Sequence, residues 1–297
     1  MSSSAGRFQL LIAAVLFSTG GAAIKATELT SWQVASFRSG IAALAVALLV
    51  PAALKGWTRK TLAVSVIYAG TMVLFVLANK LTTSANAIFL QSAAPLYILL
   101  AAPFLLKERV TRTDVMVMVA VAAGLGLVFT GRVESSATAP NPMLGNVLAI
   151  LCGVFWACTV MGLRWLSSGD EAATAPLATV VLGNLVACVI CLPMAFPVEH
   201  VRTVDFGLIM YLGTIQIGLA YFCVVRGLRA VAAFEASLIL LAEPALNPVW
   251  SWLVHGEEPG VRVILGGLLI LLATAARAWL GTRPGRAAYV RVEPMPD

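Results

Sequence analysis

A few ionisable side chains stand inside long apolar runs of this sequence, where they can do chemistry only if the fold provides a polar interior. Glu243 is the clearest case, because it lies about ten residues from either end of the run 233–254, or roughly 15 Å along a helix. Removal from water favours the neutral form of a carboxyl group, so this residue could carry a proton or bind a substrate amine. The alternative interpretation is a structural acid that pairs with a neighbouring arginine and fixes helix packing.

Three other residues share a helical face with Glu243. Glu235, Ile239, Glu243 and Asn247 follow one another at intervals of four and form one slowly drifting stripe. Such a stripe could line a water-filled path, which makes Glu235 a second candidate for proton coupling. Glu235 also stands in the first turn of its predicted helix, where the helix dipole favours a carboxylate. Both interpretations of Glu235 stay open at this stage.

Arg38 is the other charge inside an apolar run. It lies some six residues into the run 32–54, or about 9 Å from the end of that helix. Its guanidinium could bind a substrate carboxylate, extend outward to the membrane surface, or pair with Glu28. Lys25 and Lys80 stand nearer to run ends, so we expect their side chains to snorkel to the surface.

Amide and aromatic side chains complete the candidate site. Asn79 and Gln91 lie within apolar runs, where neutral polar groups suit a binding cavity. Phe17 and Trp156 lie away from the run ends, and this pair could clamp a ligand side chain or a cation, or simply pack together. We therefore predict a small-molecule binding site formed by Phe17, Arg38, Asn79, Gln91, Trp156, Glu243 and Asn247.

The apolar runs that hold these residues are long enough to cross a lipid bilayer. The 297 residues are 60% hydrophobic and 11% charged, whereas a soluble domain has about 25% charged residues. Stretches of about 20 apolar residues can span a membrane as helices, and the alternating pattern of barrel strands is missing. The sequence therefore predicts an all-α membrane protein with ten transmembrane helices over 8–26, 32–54, 61–79, 84–106, 113–130, 143–165, 174–197, 206–225, 233–254 and 260–281.

The positive charge of the chain indicates an orientation rather than a nucleic-acid partner. With a cytoplasmic N-terminus, 14 of the 20 Lys and Arg residues fall on the inner side and 5 on the outer side. This bias predicts that both termini are cytoplasmic in a multi-pass protein of the cell inner membrane. The basic residues would meet the lipid bilayer, and no run is dense enough to predict binding to nucleic acid.

Other classes of function find little support. The five cysteines all lie in predicted spans and their number is odd, so neither a disulfide framework nor a metal site is expected. The two histidines, His200 and His255, stand near span ends, and the usual zinc-protease, serine-hydrolase and nucleotide-binding motifs are missing. We expect no enzyme activity and no cofactor, with a channel or an intramembrane enzyme as remote alternatives.

The chain contains the same pattern twice. "APLYILLAAPFLLKERV" and "EPALNPVWSWLVHGEEP" each place a proline thirteen residues before a glutamate, as Pro95 and Glu108 and as Pro244 and Glu257. A second set of matches pairs Gly6 with Gly145, Phe17 with Trp156 and Lys25 with Arg164. These matches predict two copies of a five-span unit.

An odd number of spans makes the second copy enter from the opposite side, which gives an inverted repeat as in several secondary transporters. The predicted parts are a first repeat at 5–131, an extracytoplasmic linker at 132–142, a second repeat at 143–281 and a cytoplasmic tail at 282–297.

These segments resemble the EamA-type branch of the drug/metabolite transporter superfamily. "SANAIFLQSAAPLYILLAAPFLLKERVT" (84–111) and "FEASLILLAEPALNPVWSWLVHGEEP" (234–259) are similar to its signature at the ends of the fourth and ninth helices. "FSTGGAAIK" (17–25) resembles its first-helix W-G-x-x-x-x-x-K pattern, with Phe17 in the aromatic place, and Arg38 stands where the family commonly has an arginine.

The resemblance implies a secondary transporter that works by alternating access. Ten helices resemble bacterial exporters of amino acids and related metabolites, so we expect export of amino acids with neutral, apolar or aromatic side chains. The alternative is a multidrug or other metabolite exporter of the same fold. Ten helices can form a complete carrier alone, so a monomer would suffice.

Overall fold

The computed structural model describes residues 2–105, 111–130, 135–167, 174–199 and 201–281. Within these ranges the regular structure is helical, and one isolated β-bridge joins Ser136 and Ala139. The α-helices are α1 (Ser3–Ser18), α2 (Gly20–Ala26), α3 (Ser31–Leu49), α4 (Arg59–Leu81), α5 (Ser84–Gln91), α6 (Ala94–Leu105), α7 (Arg112–Phe129), α8 (Pro142–Leu166), α9 (Ala175–Ala195), α10 (Thr203–Tyr211), α11 (Ala220–Leu228), α12 (Ala233–Leu240), α13 (Ala242–His255) and α14 (Val261–Gly281).

Several of these helices join into units that can cross a membrane. In the described residues seven units are long and apolar enough: Ser3–Ala26, Ser31–Leu49, Arg59–Leu81, Pro142–Leu166, Ala175–Ala195, Thr203–Leu228 and Ala233–His255. Val261–Ala273 is a shorter apolar helix. The fold is therefore all-α with multiple apolar spans, as predicted, while the count of ten spans and the sidedness of the termini stay predictions.

Helix capping and a proline set the two ends of α3, and its second end falls short of the prediction. The Thr30 hydroxyl oxygen accepts a hydrogen bond from the Gln33 N–H, and the Gln33 side chain accepts one from the Thr30 N–H, so a capping box begins α3. α3 ends at Leu49 rather than at residue 54, because Pro51 cannot continue the α-helical hydrogen bonds and begins the 3₁₀ turn Pro51–Leu54.

The two predicted helices that contain the repeated proline pattern are both broken. α5 and α12 are eight residues each. The sequence alignment that pairs Pro95 with Pro244 also pairs α5 with α12. A proline has no N–H, and its ring clashes with the carbonyl four residues earlier, so either proline disfavours a regular helix across it. In each segment the backbone therefore turns just before the proline, and the next helix begins there, as α6 in the first segment and as α13 in the second.

Two further membrane units are irregular near their middles. α1 and α2 are separated at Thr19, whose hydroxyl lies 2.7 Å from the Tyr211 hydroxyl. Between α10 and α11 the residues Leu212–Leu219 form π-helical turns. Such turns often occur at functional sites, because they shift the register of the side chains that follow.

The packing of the bundle requires very close approaches at glycines. α4 packs against α8 and α9, and α3 packs against α9. The Gln91 carbonyl, which Pro95 frees from helical bonding, rests on Gly153 of α8, where an added Cβ would lie 2.9 Å from the carbonyl oxygen. The absence of a side chain at Gly153 thus lets α8 cover the break between α5 and α6.

One end of the bundle, here named the Lys25 end, is closed by a buried ion pair. Lys25 Nζ lies 2.9 Å from Glu257 Oε1, and its side chain is only 3% exposed. The ammonium also donates hydrogen bonds to the carbonyls of Thr82, at 2.9 Å, and Thr138. The expectation that Lys25 snorkels is therefore wrong, because backbone carbonyls and a carboxylate replace its water.

Other polar contacts surround this pair at the Lys25 end. Lys80 Nζ donates to the Thr27 carbonyl at 2.7 Å. Arg202 lies 3.0 Å from Glu28 and 3.0 Å from Asp205. Glu28 thus pairs with Arg202, and not with Arg38 as one interpretation of the sequence allowed.

The opposite end, here named the Arg7 end, has a more exposed ion pair. Arg7 Nε lies 2.7 Å from Glu235 Oε1, and each side chain is about one-third exposed. Arg164 donates a hydrogen bond to the Leu228 carbonyl nearby. Each end of the bundle is thus bridged by an ion pair between the N-terminal unit and a residue of the segment 233–257.

Replacing Gly153 with alanine should destabilise the protein, because the new Cβ would collide with the Gln91 carbonyl. We expect a loss of about 1–3 kcal/mol in the free energy of unfolding, as for other overpacked sites. Gly126→Ala is the matched control, since Gly126 is a helical glycine with nothing within 4 Å of an added Cβ. Thermal unfolding of the purified proteins compares them, and equal midpoints for the two variants would contradict the close approach.

Replacing Lys25 with methionine should leave the Glu257 carboxylate buried without a counter-charge. Breaking a buried pair from one side costs about 3–5 kcal/mol, whereas removal of both charges costs less. The double variant Lys25→Met/Glu257→Gln should therefore unfold at a higher temperature than Lys25→Met alone. Lys55→Met, at an exposed lysine, is the control, and additive effects of the two single changes would argue against the pair.

Candidate functional site

A cavity lies where the irregular helices meet in the middle of the bundle. We name it the central cavity, and its lining comprises Phe17, Arg38, Thr71, Met72, Phe75, Gln91, Trp156, Gln216, Ile217, Tyr221 and Glu243. Its free volume is about 30 Å³, close to the share of one water molecule in liquid water. The side chains therefore close around one another, and a solute of several heavy atoms would need them to move.

Five of the seven predicted site residues meet in the central cavity: Phe17, Arg38, Gln91, Trp156 and Glu243. They come from α1, α3, α5, α8 and α13 respectively. No single segment of sequence contains the site, so its assembly depends on the packing of these helices.

Arg38 is held in the core rather than extended to the surface. Its side chain is almost completely buried, and Nη2 donates to the Met72 carbonyl at 2.8 Å. The guanidinium lies 5.8 Å from the centre of the Phe75 ring, within range of a cation–π interaction. Within the described residues Nε has no hydrogen-bond partner, so the guanidinium retains a free donor next to the cavity.

Glu243 enters the same cavity from the first turn of α13. Its side chain is 6% exposed, and the helix begins one residue earlier at Ala242. The break before Pro244 therefore provides a helix N-terminus in the core of the bundle, where a carboxylate is electrostatically favoured. No ion pair joins Glu243 to Arg38 in the part of the chain that the structure describes, so the structural pairing with an arginine is not formed.

Aromatic rings form one wall of the central cavity. The rings of Phe17 and Trp156 are 6.1 Å apart with an interplanar angle of 88°. Tyr221 lies 5.1 Å from Phe17 and 6.1 Å from Trp156, and Tyr68 stacks behind it at 4.7 Å. The predicted pair is thus part of a larger cluster, in which Phe17, Trp156 and Tyr221 contact edge to face and Tyr68 packs against Tyr221 at a tilt of 60°.

Sequence reasoning missed Tyr221, and the reason is geometric. Residues five apart, such as Gln216 and Tyr221, do not share a face of a regular α-helix. The π-helical turns over Leu212–Leu219 alter that register, and both side chains line the cavity. Thr71 also lines the cavity, and its hydroxyl lies 3.0 Å from that of Thr159.

Asn79 and Asn247 do not line the central cavity but lie one helical turn towards the Lys25 end. Both are fully buried and press on Gly21, where an added Cβ would lie 2.8 Å from Asn247 Nδ2 and 3.1 Å from Asn79 Oδ1. Both polar atoms of the Asn247 side chain and Asn79 Oδ1 have no hydrogen-bond partner among the described residues. We name these two residues the asparagine layer.

Glu235 does not line the central cavity but pairs with Arg7 at the Arg7 end. The predicted stripe is divided by the helix break at Leu241, so Glu235 and Glu243 no longer share one continuous helical face. Glu108 lies outside the described residues. Within the described ranges no group of His, Cys, Asp and Glu could hold a metal ion.

One family model and two named transporters are similar to this chain. The model of the EamA-like transporter family matches residues 4–130 and 143–276. The chain is 27% identical over 252 residues to the uncharacterized transporter YyaM of Bacillus subtilis (strain 168), covering 80% of this chain and 81% of that protein. It is 21% identical over 173 residues to an uncharacterized transporter of Clostridium kluyveri, covering 58% and 56%.

A solved structure shares the fold. One crystal structure aligns with this chain at a TM-score of 0.73 and 20% sequence identity. The alignment covers 94% of this chain and 98% of the other. The two-part family match covers most of the sequence and includes every residue of the central cavity. The chain therefore belongs to the EamA-like transporter family of the drug/metabolite transporter superfamily.

Proposed function

We propose that this transporter exports amino acids with apolar or aromatic side chains across the inner membrane. One observation carries the proposal: a buried cation and a buried acid, Arg38 and Glu243, line the same cavity beside a wall of aromatic rings. Charges at membrane depth are costly and are seldom kept without a task.

The two charges complement the two ends of a zwitterion. The free donor of Arg38 suits a carboxylate, and the Glu243 carboxylate suits an ammonium group. Gln216, whose Oε1 has no partner among the described residues, can add a neutral hydrogen bond. The rings of Phe17, Trp156 and Tyr221 then offer an apolar surface to the solute side chain. A nucleotide-sugar would require several basic groups for its phosphates, and Arg38 is the only basic residue that the described part of the chain contributes to this lining.

Alternating access between two inverted repeats, 5–131 and 143–281, is the second part of the proposal. Three observations support it. α5 and α12 have equal lengths at matching positions, and the family match falls into two separate segments. Gly6 also packs against Val231 as its predicted counterpart Gly145 packs against Thr82. In this arrangement ten helices cross the membrane, both termini are cytoplasmic and the Lys25 end faces outward.

The two ion pairs are suited to act as alternate closures. Opening the Lys25 end requires Lys25 and Glu257 to separate, and opening the Arg7 end requires Arg7 and Glu235 to separate. The central cavity lies between the two pairs, and its volume of about 30 Å³ leaves little room for a solute until one end opens. The helix breaks next to Pro95 and Pro244 offer hinges, because there the backbone hydrogen bonds are already interrupted.

Proteoliposomes loaded with a panel of labelled amino acids test the proposal. We expect faster efflux than from protein-free liposomes for a subset with apolar or aromatic side chains. Arg38→Gln should slow this efflux about tenfold at low solute concentration, because a charge-assisted hydrogen bond is lost. Arg59→Gln, at an exposed arginine, is the matched control.

Folded protein that gives no efflux of any amino acid would overturn the substrate class and leave the fold intact. The same liposomes loaded with amphipathic drugs would then test multidrug export. Size-exclusion profiles of each variant confirm that a loss of transport is not a loss of folding.

A proton role for Glu243 gives a separate prediction. If this carboxyl group carries the coupled proton, an imposed pH gradient should accelerate efflux by the wild-type protein and leave efflux by Glu243→Gln unchanged, because glutamine cannot titrate. The measurement is the ratio of efflux rates with and without the gradient. A full response of Glu243→Gln to the gradient would eliminate this residue as the proton carrier.

A further inference from the structure

A second, larger pocket opens at the Lys25 end of the bundle. We name it the outer pocket, and its polar lining consists of Thr83, Asn86, Ser251, Glu257, Glu258 and Arg262. Its free volume is about 420 Å³, within the range of small-molecule sites. The residues come from the start of α5, the end of α13 and the connection that leads into α14.

The lining of the outer pocket carries charges of both signs, with an acidic part formed by Glu257 and Glu258 and a basic part that includes Arg262. Glu257 is held in place because Oε1 lies 2.9 Å from Lys25 Nζ and Oε2 accepts a hydrogen bond from the Ser84 N–H at 3.1 Å. Glu258 adds a second carboxylate on the same lining. These acids can attract an ammonium group.

The basic part of the lining is formed by Arg262 and the beginning of α14. Arg262 Nη1 donates to the Thr130 carbonyl at 2.9 Å, which fixes the guanidinium and leaves its other donors available. Gly260 and Val261 also line the pocket, so the first turn of this 21-residue helix meets the same space. A guanidinium next to a helix N-terminus favours a carboxylate.

Two buried side chains on this lining lack partners. Asn86 and Ser251 are each 1% exposed, and neither Asn86 Oδ1 nor Ser251 Oγ has a hydrogen-bond partner among the described residues. A buried polar atom without a partner costs about 1–3 kcal/mol. Because both line the outer pocket, a polar solute there would supply the missing hydrogen bonds.

The outer pocket continues the polar face of α13 that begins in the central cavity. Glu243 lines the central cavity, Asn247 belongs to the asparagine layer, and Ser251 lines the outer pocket. These residues are four apart and therefore lie on one helical face. The asparagine layer, one helical turn thick, separates the two spaces, and its unpartnered amide groups offer hydrogen bonds to a passing solute.

We propose that the outer pocket is a second binding site for a zwitterionic α-amino acid on its way through the protein. Its ammonium group faces Glu257 and Glu258, its carboxylate faces Arg262 and the first turn of α14, and Asn86 and Ser251 bind it through neutral hydrogen bonds. The solute reaches or leaves the central cavity through the asparagine layer. The identity of the solute rests on the proposed function, whereas the site itself rests on this lining.

A cysteine reporter in the outer pocket tests the site directly. Val261→Cys places a thiol on an exposed part of the lining without removing a charge. The full-length protein in lipid nanodiscs is labelled with a charged maleimide in the presence of L-phenylalanine or L-leucine. Wild-type protein reports the background of the five native cysteines, and Val201→Cys is the control for an exposed thiol outside the outer pocket.

We expect at least one of the two amino acids to slow labelling of Val261→Cys and to leave Val201→Cys unaffected. Protection should persist when Glu243→Gln is added, because that residue belongs to the central cavity. Added Arg262→Gln should raise the concentration for half-protection about tenfold, whereas added Arg59→Gln should not. Phenethylamine, which lacks the carboxylate, and 3-phenylpropionate, which lacks the ammonium group, should protect weakly.

Three results would overturn the second site, and a fourth would separate it from the proposed function. Labelling that is unaffected by an amino acid that the same protein exports would disprove the outer pocket and leave the proposed function standing. Protection that Glu243→Gln abolishes would assign the effect to the central cavity. Protection by 3-phenylpropionate equal to that by L-phenylalanine would make the site an anion site. Protection without efflux would support the outer pocket and count against the proposed function.

Discussion

Polar backbone groups that a proline frees inside a membrane protein must find partners within the protein, because lipid offers none. This constraint acts twice here, at Pro95 and at Pro244, and it decides where the interior must lie. Both broken helices have to face other helices at the level of the break. At the first break the Gln91 carbonyl packs directly against Gly153, and at the second break a helix N-terminus holds Glu243 in the core.

The same constraint explains why polar side chains meet near the middle of the bundle. A break ends one set of helical hydrogen bonds and begins another, so each break creates a polar spot in an otherwise apolar bundle. The interruptions at Thr19, before Pro95, over Leu212–Leu219 and before Pro244 contribute Phe17, Gln91, Gln216 and Glu243 to one cavity. Arg38 comes from a regular helix, and it is retained there through the Met72 carbonyl and the Phe75 ring.

The two ends of the bundle differ in how far their ion pairs are removed from water. Lys25 and Glu257 are largely removed from water and share further hydrogen bonds with backbone groups, whereas Arg7 and Glu235 are about one-third exposed. An exposed ion pair contributes at most about 1 kcal/mol, and a buried one is costly to break from one side. The Lys25 end therefore holds a buried pair and the Arg7 end a partly hydrated one.

The sequence by itself determined the class of the molecule and much of its site. Apolar runs, the repeated Pro-to-Glu spacing and the few charges inside runs were sufficient to predict an all-α membrane protein and to select Arg38, Glu243, Phe17, Gln91 and Trp156. These signals are local, because lipid penalises each charge and each unpaired backbone group individually. Tertiary structure alone decided which residues meet. It paired Glu235 with Arg7, buried Lys25 against Glu257, placed Asn79 and Asn247 outside the cavity and added Tyr221 through a π-helical register. Such choices depend on helix breaks and on contacts between distant segments, which no run of sequence contains.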